Sequence, residues 1–222
     1  MKKIMFNDKF LLTQAVLDGR KTQTRRIIPK DFFSLTWDKR NDTLVYENGM
    51  GDFIDVRNSK YAQYKVGEVV AVAQSYKELD ALYNAAFNRK HSVHGMTFNM
   101  LDCVPDWEIK KWFDIRKQFA KKASWKNKMF VKAEYMPHQI RITNVRVEKL
   151  EDISEQDAIA EGITYVGPTY DDYGETMFVF DGCKKEFSSA RDAYACLIDK
   201  ISGKGTWVSN PYVFVYDFEI IK

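Results

Sequence analysis

The stretch that decides the fold is residues 139–162, QIRITNVRVEKLEDISEQDAIAEG, in which a strand pattern passes directly into a helix pattern. Apolar and polar residues alternate at first, and the alternation changes phase at Asn144, which predicts a strand over residues 139–149 with a bulge or bend. Ser154 then opens a capping box in which Asp157 stands in place of the usual glutamate. The helix that it starts is expected to end at Gly162.

Two more strands are predicted on either side of this segment. Residues 65–76 indicate a turn at Gly67 followed by a buried strand, and residues 212–220 are apolar almost throughout, which is typical of a central strand. No glycine-rich phosphate loop follows a strand, so a dinucleotide-binding fold and a P-loop fold are excluded. Short strands with only some helices between them predict an α+β fold with a small twisted sheet or barrel.

Two helices flank these strands. The first is predicted from Asn7 or Asp8 to residue 18, with Gly19 just beyond its end. The second begins after Ser189 and ends at Gly203, because its apolar residues follow helical spacing over three turns. Both apolar stripes are expected to pack into the core.

Residues 77–135 are predicted to form a helical insertion within a single domain that covers residues 1–222. One helix is expected near residues 79–87 and another over residues 106–122. Between residues 110 and 132 nine cations accompany one acid, Asp114. A basic amphipathic helix can bind nucleic acid, a membrane surface or an acidic partner, but it can equally be a solvated helix packed on a domain.

The composition of the chain limits which partners, cellular compartment and ligands are expected. The 222 residues are 45% hydrophobic and 29% charged, with a formal net charge of +3, which permits a nucleic-acid partner without requiring one. Three scattered cysteines predict a reducing compartment, and the chain has no apolar run of the length that a membrane helix needs. We therefore expect a cytoplasmic protein with no membrane partner and no cofactor. His91-x-x-His94 lacks neighbouring ligands, so no metal site is expected.

The most informative segment for function is residues 19–26, Gly-Arg-Lys-Thr-Gln-Thr-Arg-Arg. In an extended conformation Lys21, Gln23 and Arg25 point to one side, and the intervening residues Arg20, Thr22, Thr24 and Arg26 point to the other. Cations gathered this closely on a strand usually face an anion. A solvated basic turn is the alternative.

This octapeptide, placed after a short helix, resembles the signature of the ASCH domain family, whose members have a small PUA-like β-barrel. The resemblance continues at residues 64–72, 142–162, 190–194, 203–207 and 210–218, blocks that are similar to a longer subgroup common in phage and bacterial genomes. It implies a basic cleft that binds RNA or a nucleotide. In small members that are amidohydrolases acting on N4-acetylcytidine, the matching positions imply Lys21 as the base and Thr24 as the nucleophile.

The sequence departs from that subgroup at residues 73–76, Ala-Gln-Ser-Tyr, where Arg-Glu-Thr-Trp is common. Gln74 stands at the acidic position and does not ionise, so we expect the cations to be under-compensated and to favour anion binding over catalysis. Glu68, Glu78 or Glu134 would have to supply the missing carboxylate for catalysis.

Three functions remain open at this point. The first is RNA or nucleotide binding, in which Lys21, Arg25 and Arg26 contact phosphate and Tyr76, Trp207 and Tyr212 stack on bases. The rest of the basic motif and Gln74 are further candidate binding residues. For Trp207 a place in the core is the alternative. The second is the amidohydrolase with its Lys21 and Thr24 pair, and the third is docking of the basic face on another protein.

Overall fold

The computed structural model describes residues 1–29, 35–41, 43–81, 106–122, 125–167 and 177–221. The chain divides into two compact units. The first unit consists of residues 1–5 and 71–137, and the second of residues 6–70 and 138–222. The boundary crosses one strand, so each unit is described by itself.

The strands and helices are numbered in chain order. Among the described residues the strands are β1 Lys3–Ile4, β2 Gln23–Ile27, β3 Thr36–Asp38, β4 Thr43–Glu47, β5 Phe53–Asp55, β6 Val69–Val72, β7 Gln139–Lys149, β8 Thr164–Val166, β9 Met177–Val179 and β10 Tyr212–Ile221. The α-helices are α1 Leu12–Leu17, α2 Asp106–Phe119, α3 Glu155–Ala160, α4 Ala190–Ser202 and α5 Thr206–Ser209. Short 3-10 turns occupy Asp8–Phe10, Val56–Asn58, Lys128–Phe130, Ala133–Tyr135 and Leu150–Asp152.

The main sheet of the second unit has the strand order β6-β7-β10-β2. β10 is central, as predicted, because it pairs antiparallel with both β7 and β2. The predicted phase change in β7 is a bulge, since Asn144 pairs with Asp217 while Ile142 pairs with Phe218 and one β7 residue is left over. The predicted turn before β6 is also present, and Gly67 adopts a positive φ of 82° there.

Helices pack beside this sheet through apolar stripes. Ser154 caps α3 because its side chain accepts a hydrogen bond from the Asp157 amide. Ser189 caps α4 by accepting a hydrogen bond from the Asp192 amide. After α3, Gly162 has a φ of +102°, and a Cβ there would lie 3.4 Å from Leu12 Cδ2. That glycine therefore allows the end of α3 to approach α1 closely.

The predicted helix over residues 7–18 is interrupted. Asp8–Phe10 forms a 3-10 turn, and α1 begins only at Leu12 because Leu11 adopts a left-handed φ of 49°. The prediction had the right N-cap, since the Asn7 side chain accepts a hydrogen bond from the Lys9 amide. It missed the break because nothing in the side chain of Leu11 favours that conformation.

Two smaller sheets complete the second unit. One is antiparallel with the order β3-β4-β5, and the other is the antiparallel pair of β8 and β9. Among the described residues the strands do not close into a barrel. The α+β class is confirmed.

The first unit contains the parallel pairing of β1 with the end of β6, and the helix α2. Residues 76–81 are also helical, and the rest of the helix predicted over residues 79–87 lies outside the described residues. The apolar side of α2 packs into a core that includes Tyr76, Leu79, Trp112 and Ile115. Within the part of the chain that the structure describes, no helix is both long and apolar enough to cross a membrane.

Candidate functional site

The basic motif lies at the edge of the main sheet of the second unit. Lys21 precedes β2, and within β2 Thr24 pairs with Tyr216 while Arg25 pairs with Val215 of β10. Because neighbours along a strand point to opposite sides, Arg25 and Arg26 face different environments. Gln23 and Arg25 turn to a polar side of the sheet that is contacted by α3.

On that polar side the Arg25 guanidinium is fully buried and is surrounded by carboxylates. Its Nη2 lies 2.6 Å from Glu148 Oε1 and 3.1 Å from Asp157 Oδ2, and its Nη1 lies 3.3 Å from Glu161 Oε1. Nη1 also donates a hydrogen bond to the Gln23 side-chain carbonyl. Acids from β7 and from the α3 segment therefore share one arginine.

Lys21 is buried beside the same glutamate. Its Nζ lies 2.5 Å from Glu161 Oε2 and donates a second hydrogen bond, of 2.8 Å, to the Glu161 backbone carbonyl. Burial, the largest influence, lowers the pKa of Lys21, while Glu161 opposes this effect and the charges of Arg26 and Arg25 add to it. The ammonium also lies 5.8 Å from the ring centroid of Phe6.

Arg146 extends the network from the neighbouring strand β7. Its guanidinium contacts Glu148 at 3.1 Å, and Asp157 and Asp217 at 2.8 Å each. Gln23 Nε2 donates to the same two aspartates, at 2.9 Å and 2.6 Å. We call these residues the ionic cluster: Lys21, Gln23, Arg25, Arg146, Glu148, Asp157, Glu161 and Asp217. Its three cations face four carboxylates, so it carries no positive excess.

Tyr194 of α4 covers one side of the cluster. Its ring lies 5.8 Å from the Arg25 guanidinium carbon, within the range of a cation–π contact. Burial raises the pKa of Tyr194 well above its usual value, and the charge of Glu161 raises it further. The phenol therefore stays neutral, and it seals the cluster with an apolar surface.

Thr24 and Arg26 face the other side of the sheet, which is aromatic. Their partners on β10 are Tyr216 and Phe214, and Tyr64 packs edge-on against Tyr216 with a centroid separation of 5.3 Å. Burial raises the pKa of Tyr216 to about 12, against the opposing hydrogen bonds from the backbone and the charge of Arg26. Thr24 is buried, whereas Arg26 is half-buried and keeps access to solvent.

The first predicted contacts of the motif, Arg20 and Thr22, are both exposed. Arg20 forms two exposed ion pairs, with Asp18 at 3.3 Å and with Asp181 at 3.6 Å. Such pairs contribute little, on the order of 0–1 kcal/mol, because water screens them. A phosphate could therefore replace them at little cost.

The predicted stacking residues of the second unit, Trp207 and Tyr212, both lie beside cations. Trp207 is half-buried in α5, where it packs edge-on against Tyr194 at 6.4 Å and under the Arg191 guanidinium at 5.6 Å. Tyr212 begins β10, and the Lys149 ammonium lies 3.9 Å from its ring centroid. Both rings thus have cationic neighbours from this chain.

Gln74 and Tyr76 belong to the first unit. Gln74 is buried, and its backbone amide donates to Met136 Sδ. Tyr76 is 1% exposed and stacks on Phe119 with a centroid separation of 4.7 Å. The Tyr76 ring is therefore part of an apolar core and offers no open face to a base.

The acids of the ionic cluster were not predicted from the sequence. Under-compensated cations were expected, but the buried Glu161 and the half-buried Glu148 and Asp157 supply partners, and none of these is Glu68, Glu78 or Glu134. Part of the cluster could have been predicted, because the alternation of side chains in β7 puts Arg146 and Glu148 on one face of the strand. The contribution of Glu161 could not be found from spacing because it follows Lys21 by 140 residues.

One other expectation concerns a metal site, and it involves two histidines. The pair His91 and His94, and the cysteine at position 103, lie outside the described residues. Within the described part of the chain, no group of three or more histidine, cysteine, aspartate or glutamate side chains is arranged to hold a metal ion.

Comparison with models of protein families, with curated proteins and with solved structures gives no match to this chain. The resemblance to the ASCH family therefore depends on the sequence blocks quoted above. Any function must be argued from the arrangement of the motif and the ionic cluster.

We expect the ionic cluster to lose part of its contribution to the free energy of unfolding when Asp157 is protonated in acid. Burial alone would raise the pKa of Asp157, but the Gln23 hydrogen bond and the charges of Arg146 and Arg25 outweigh it and lower the pKa. A carboxyl with a lowered folded-state pKa contributes stability that is complete above its unfolded pKa and is lost as the pH falls through the folded value. Asp157→Asn should therefore reduce stability near neutral pH and flatten its further decline in acid.

The measurement is the free energy of unfolding of wild type and variant at a series of pH values between neutral and strongly acidic. Asp152→Asn is the matched control, because Asp152 is exposed, and its curve should follow that of the wild type. Parallel curves for Asp157→Asn and wild type would contradict the linkage.

Proposed function

We propose that this chain binds RNA or a nucleotide through the solvent-accessible part of the basic motif, Arg20, Thr22 and Arg26. One observation carries the proposal: the motif is divided between two environments. Lys21 and Arg25 are buried against carboxylates, whereas Arg20 and Thr22 are exposed and Arg26 is half-buried. The buried residues hold the strand in place, and the accessible ones are available to a ligand.

The chemistry of these three residues suits a phosphate. Guanidinium groups donate paired hydrogen bonds to phosphate oxygens, and a threonine hydroxyl adds a donor. Arg26 emerges beside buried aromatic rings, where the low dielectric strengthens its attraction to an anion. The weak ion pairs of Arg20 can exchange for the ligand. We also propose that the fold is a variant of the small PUA-like barrel that the ASCH resemblance implies.

Arg26→Gln tests the proposal. Loss of a charge-assisted hydrogen bond to phosphate should weaken binding of a ribonucleoside monophosphate and of a short RNA about tenfold. The control is Arg141→Gln, because Arg141 is an exposed arginine of β7 whose ion pair with Glu219 is at the surface. Titrations at several salt concentrations would measure both variants. Equal affinities for Arg26→Gln and the control, or no binding by the wild type, would contradict the proposal.

A second candidate, the amidohydrolase, is favoured by the contact between Glu161 and Lys21. A carboxylate is present beside the proposed base, although Gln74 does not supply it, and burial lowers the pKa of Lys21 against the opposing effect of Glu161. Lys21 would remove the hydroxyl proton of Thr24, and the oxygen would attack the acyl carbonyl carbon. The C–N bond would then break as the Lys21 ammonium returns the proton to the departing amine of cytidine, which leaves an acetyl ester on Thr24. Water would hydrolyse this ester, releasing acetate and restoring the threonine hydroxyl. This function comes second because Thr24 is only 5% exposed and faces the aromatic side of the sheet, whereas Lys21 lies in the ionic cluster on the opposite side.

The test is incubation with N4-acetylcytidine, with cytidine and acetate as the products to be measured. If Thr24 is the nucleophile, Thr24→Val should abolish the release of both products, while Thr24→Ser should retain part of it because a hydroxyl remains. Absence of turnover by the wild type would end this candidate for that substrate.

A further inference from the structure

The first unit carries a basic surface that the proposed function does not use. Its members are the exposed cations at and after α2: Lys110, Arg116, Lys117, Lys121, Lys122, Lys126 and Lys132. Three acids among the described residues of this unit offer partial compensation. Asp80 pairs with Arg116 at 3.4 Å and Glu134 with Lys132 at 3.5 Å, and Asp114 is an exposed acid on α2 itself. Both pairs are well exposed on the cation's side, so they neutralise the surface only weakly.

The packing of α2 directs these charges outward. Trp112 and Ile115 are 3% and 6% exposed and lie in the core of the first unit. Trp112 Nε1 also donates a hydrogen bond to Asp80 at 3.2 Å, which orients the helix. Because the apolar side of α2 is already covered, the helix has only its charged side to offer to a partner.

An exposed apolar pair lies at the end of this surface. Met129 and Phe130 are 55% and 61% exposed, in the 3-10 turn Lys128–Phe130. The turn is fixed from two directions. Asn127 accepts a hydrogen bond from the Met129 amide, and the Lys3 ammonium donates to the backbone carbonyls of residues 128, 129 and 131, the last at 2.8 Å.

We propose that this basic surface, together with Phe130, binds single-stranded nucleic acid. Exposed lysines supply a track for the phosphate backbone, and the exposed ring of Phe130, carried on the fixed turn, supplies a platform on which a base stacks whatever its identity. A membrane is the less suitable partner, because the apolar side of α2 is buried and Met129 and Phe130 are the only large exposed apolar side chains among the described residues of this surface. The surface lies in a different unit from the Arg26 site, so it does not depend on the proposed function.

The experiment measures binding of a fluorescent oligouridylate to the full chain over a range of salt concentrations. Phe130→Ala should weaken binding about tenfold, by the loss of one stacked base. The double variant Lys121→Gln/Lys126→Gln should reduce the slope of log affinity against log salt by about 1.4, because each lost phosphate contact removes about 0.7. Both variants change exposed side chains, so melting curves should match that of the wild type.

Two matched controls separate these effects from general ones. Phe53→Ala removes a phenylalanine of similar exposure, 66%, from the second unit, and Lys65→Gln/Lys204→Gln removes two exposed lysines from the same unit. Neither should change the affinity or the salt slope. Equal losses in the test and control variants would overturn the proposal. So would binding to vesicles of anionic lipid that Phe130→Ala abolishes while oligouridylate binding is unaffected.

The two proposals fail separately in these measurements. Binding of a ribonucleoside monophosphate depends on Arg20, Thr22 and Arg26 in the proposed function, so the Phe130 and lysine variants should leave it unchanged. If Arg26→Gln has no effect while Phe130→Ala weakens oligouridylate binding, the inference about the basic surface is supported and the proposed Arg26 site is contradicted. The reverse result would overturn the inference about the basic surface.

Discussion

The contact between the Lys21 ammonium and the Glu161 carboxylate, at 2.5 Å, is the constraint on which the arrangement of the second unit depends. It joins the segment before β2 to the end of α3, and Glu161 also contacts Arg25 within the strand. Charges taken out of water are costly, and they are tolerated only when each meets a well-placed partner. The acids of β7 and α3 meet this condition for Arg25, and Arg146 then binds those acids from the other side.

This pairing changes what the basic motif can do. Four cations in eight residues suggest a positive surface, yet two of them, Lys21 and Arg25, form ion pairs with carboxylates of the ionic cluster. The division follows from the alternation of a strand, since neighbouring arginines at positions 25 and 26 face the ionic cluster and the aromatic side respectively. The motif therefore has a structural part, Lys21 and Arg25, and an accessible part to which the proposed function assigns the ligand.

Much of the fold could be predicted because it depends on local chemistry. The bulge in β7 follows from a phase change at Asn144, and the start of α3 follows from the side chain of Ser154. The break at Leu11 could not be predicted, because the tertiary structure imposes it on a residue with no preference for it. The partners of Lys21 and Arg25 were also out of reach, since no local pattern indicates which distant carboxylate a buried cation will meet. The core position of Tyr76 has the same cause: its neighbours Trp112 and Phe119 come from a helix far along the chain.

The most direct test of the central claim is a double-mutant cycle with Lys21→Met, Glu161→Gln and the pair combined. Amide hydrogen exchange in β2 and α3 would report the stability of the second unit by itself. Each single change should cost about 3–5 kcal/mol, because it leaves a buried charge without its partner. The combined variant should cost less than the two single costs together, by about 1–3 kcal/mol. Additive effects, or single changes that leave exchange in β2 unaltered, would contradict the claim that this ion pair holds the strand.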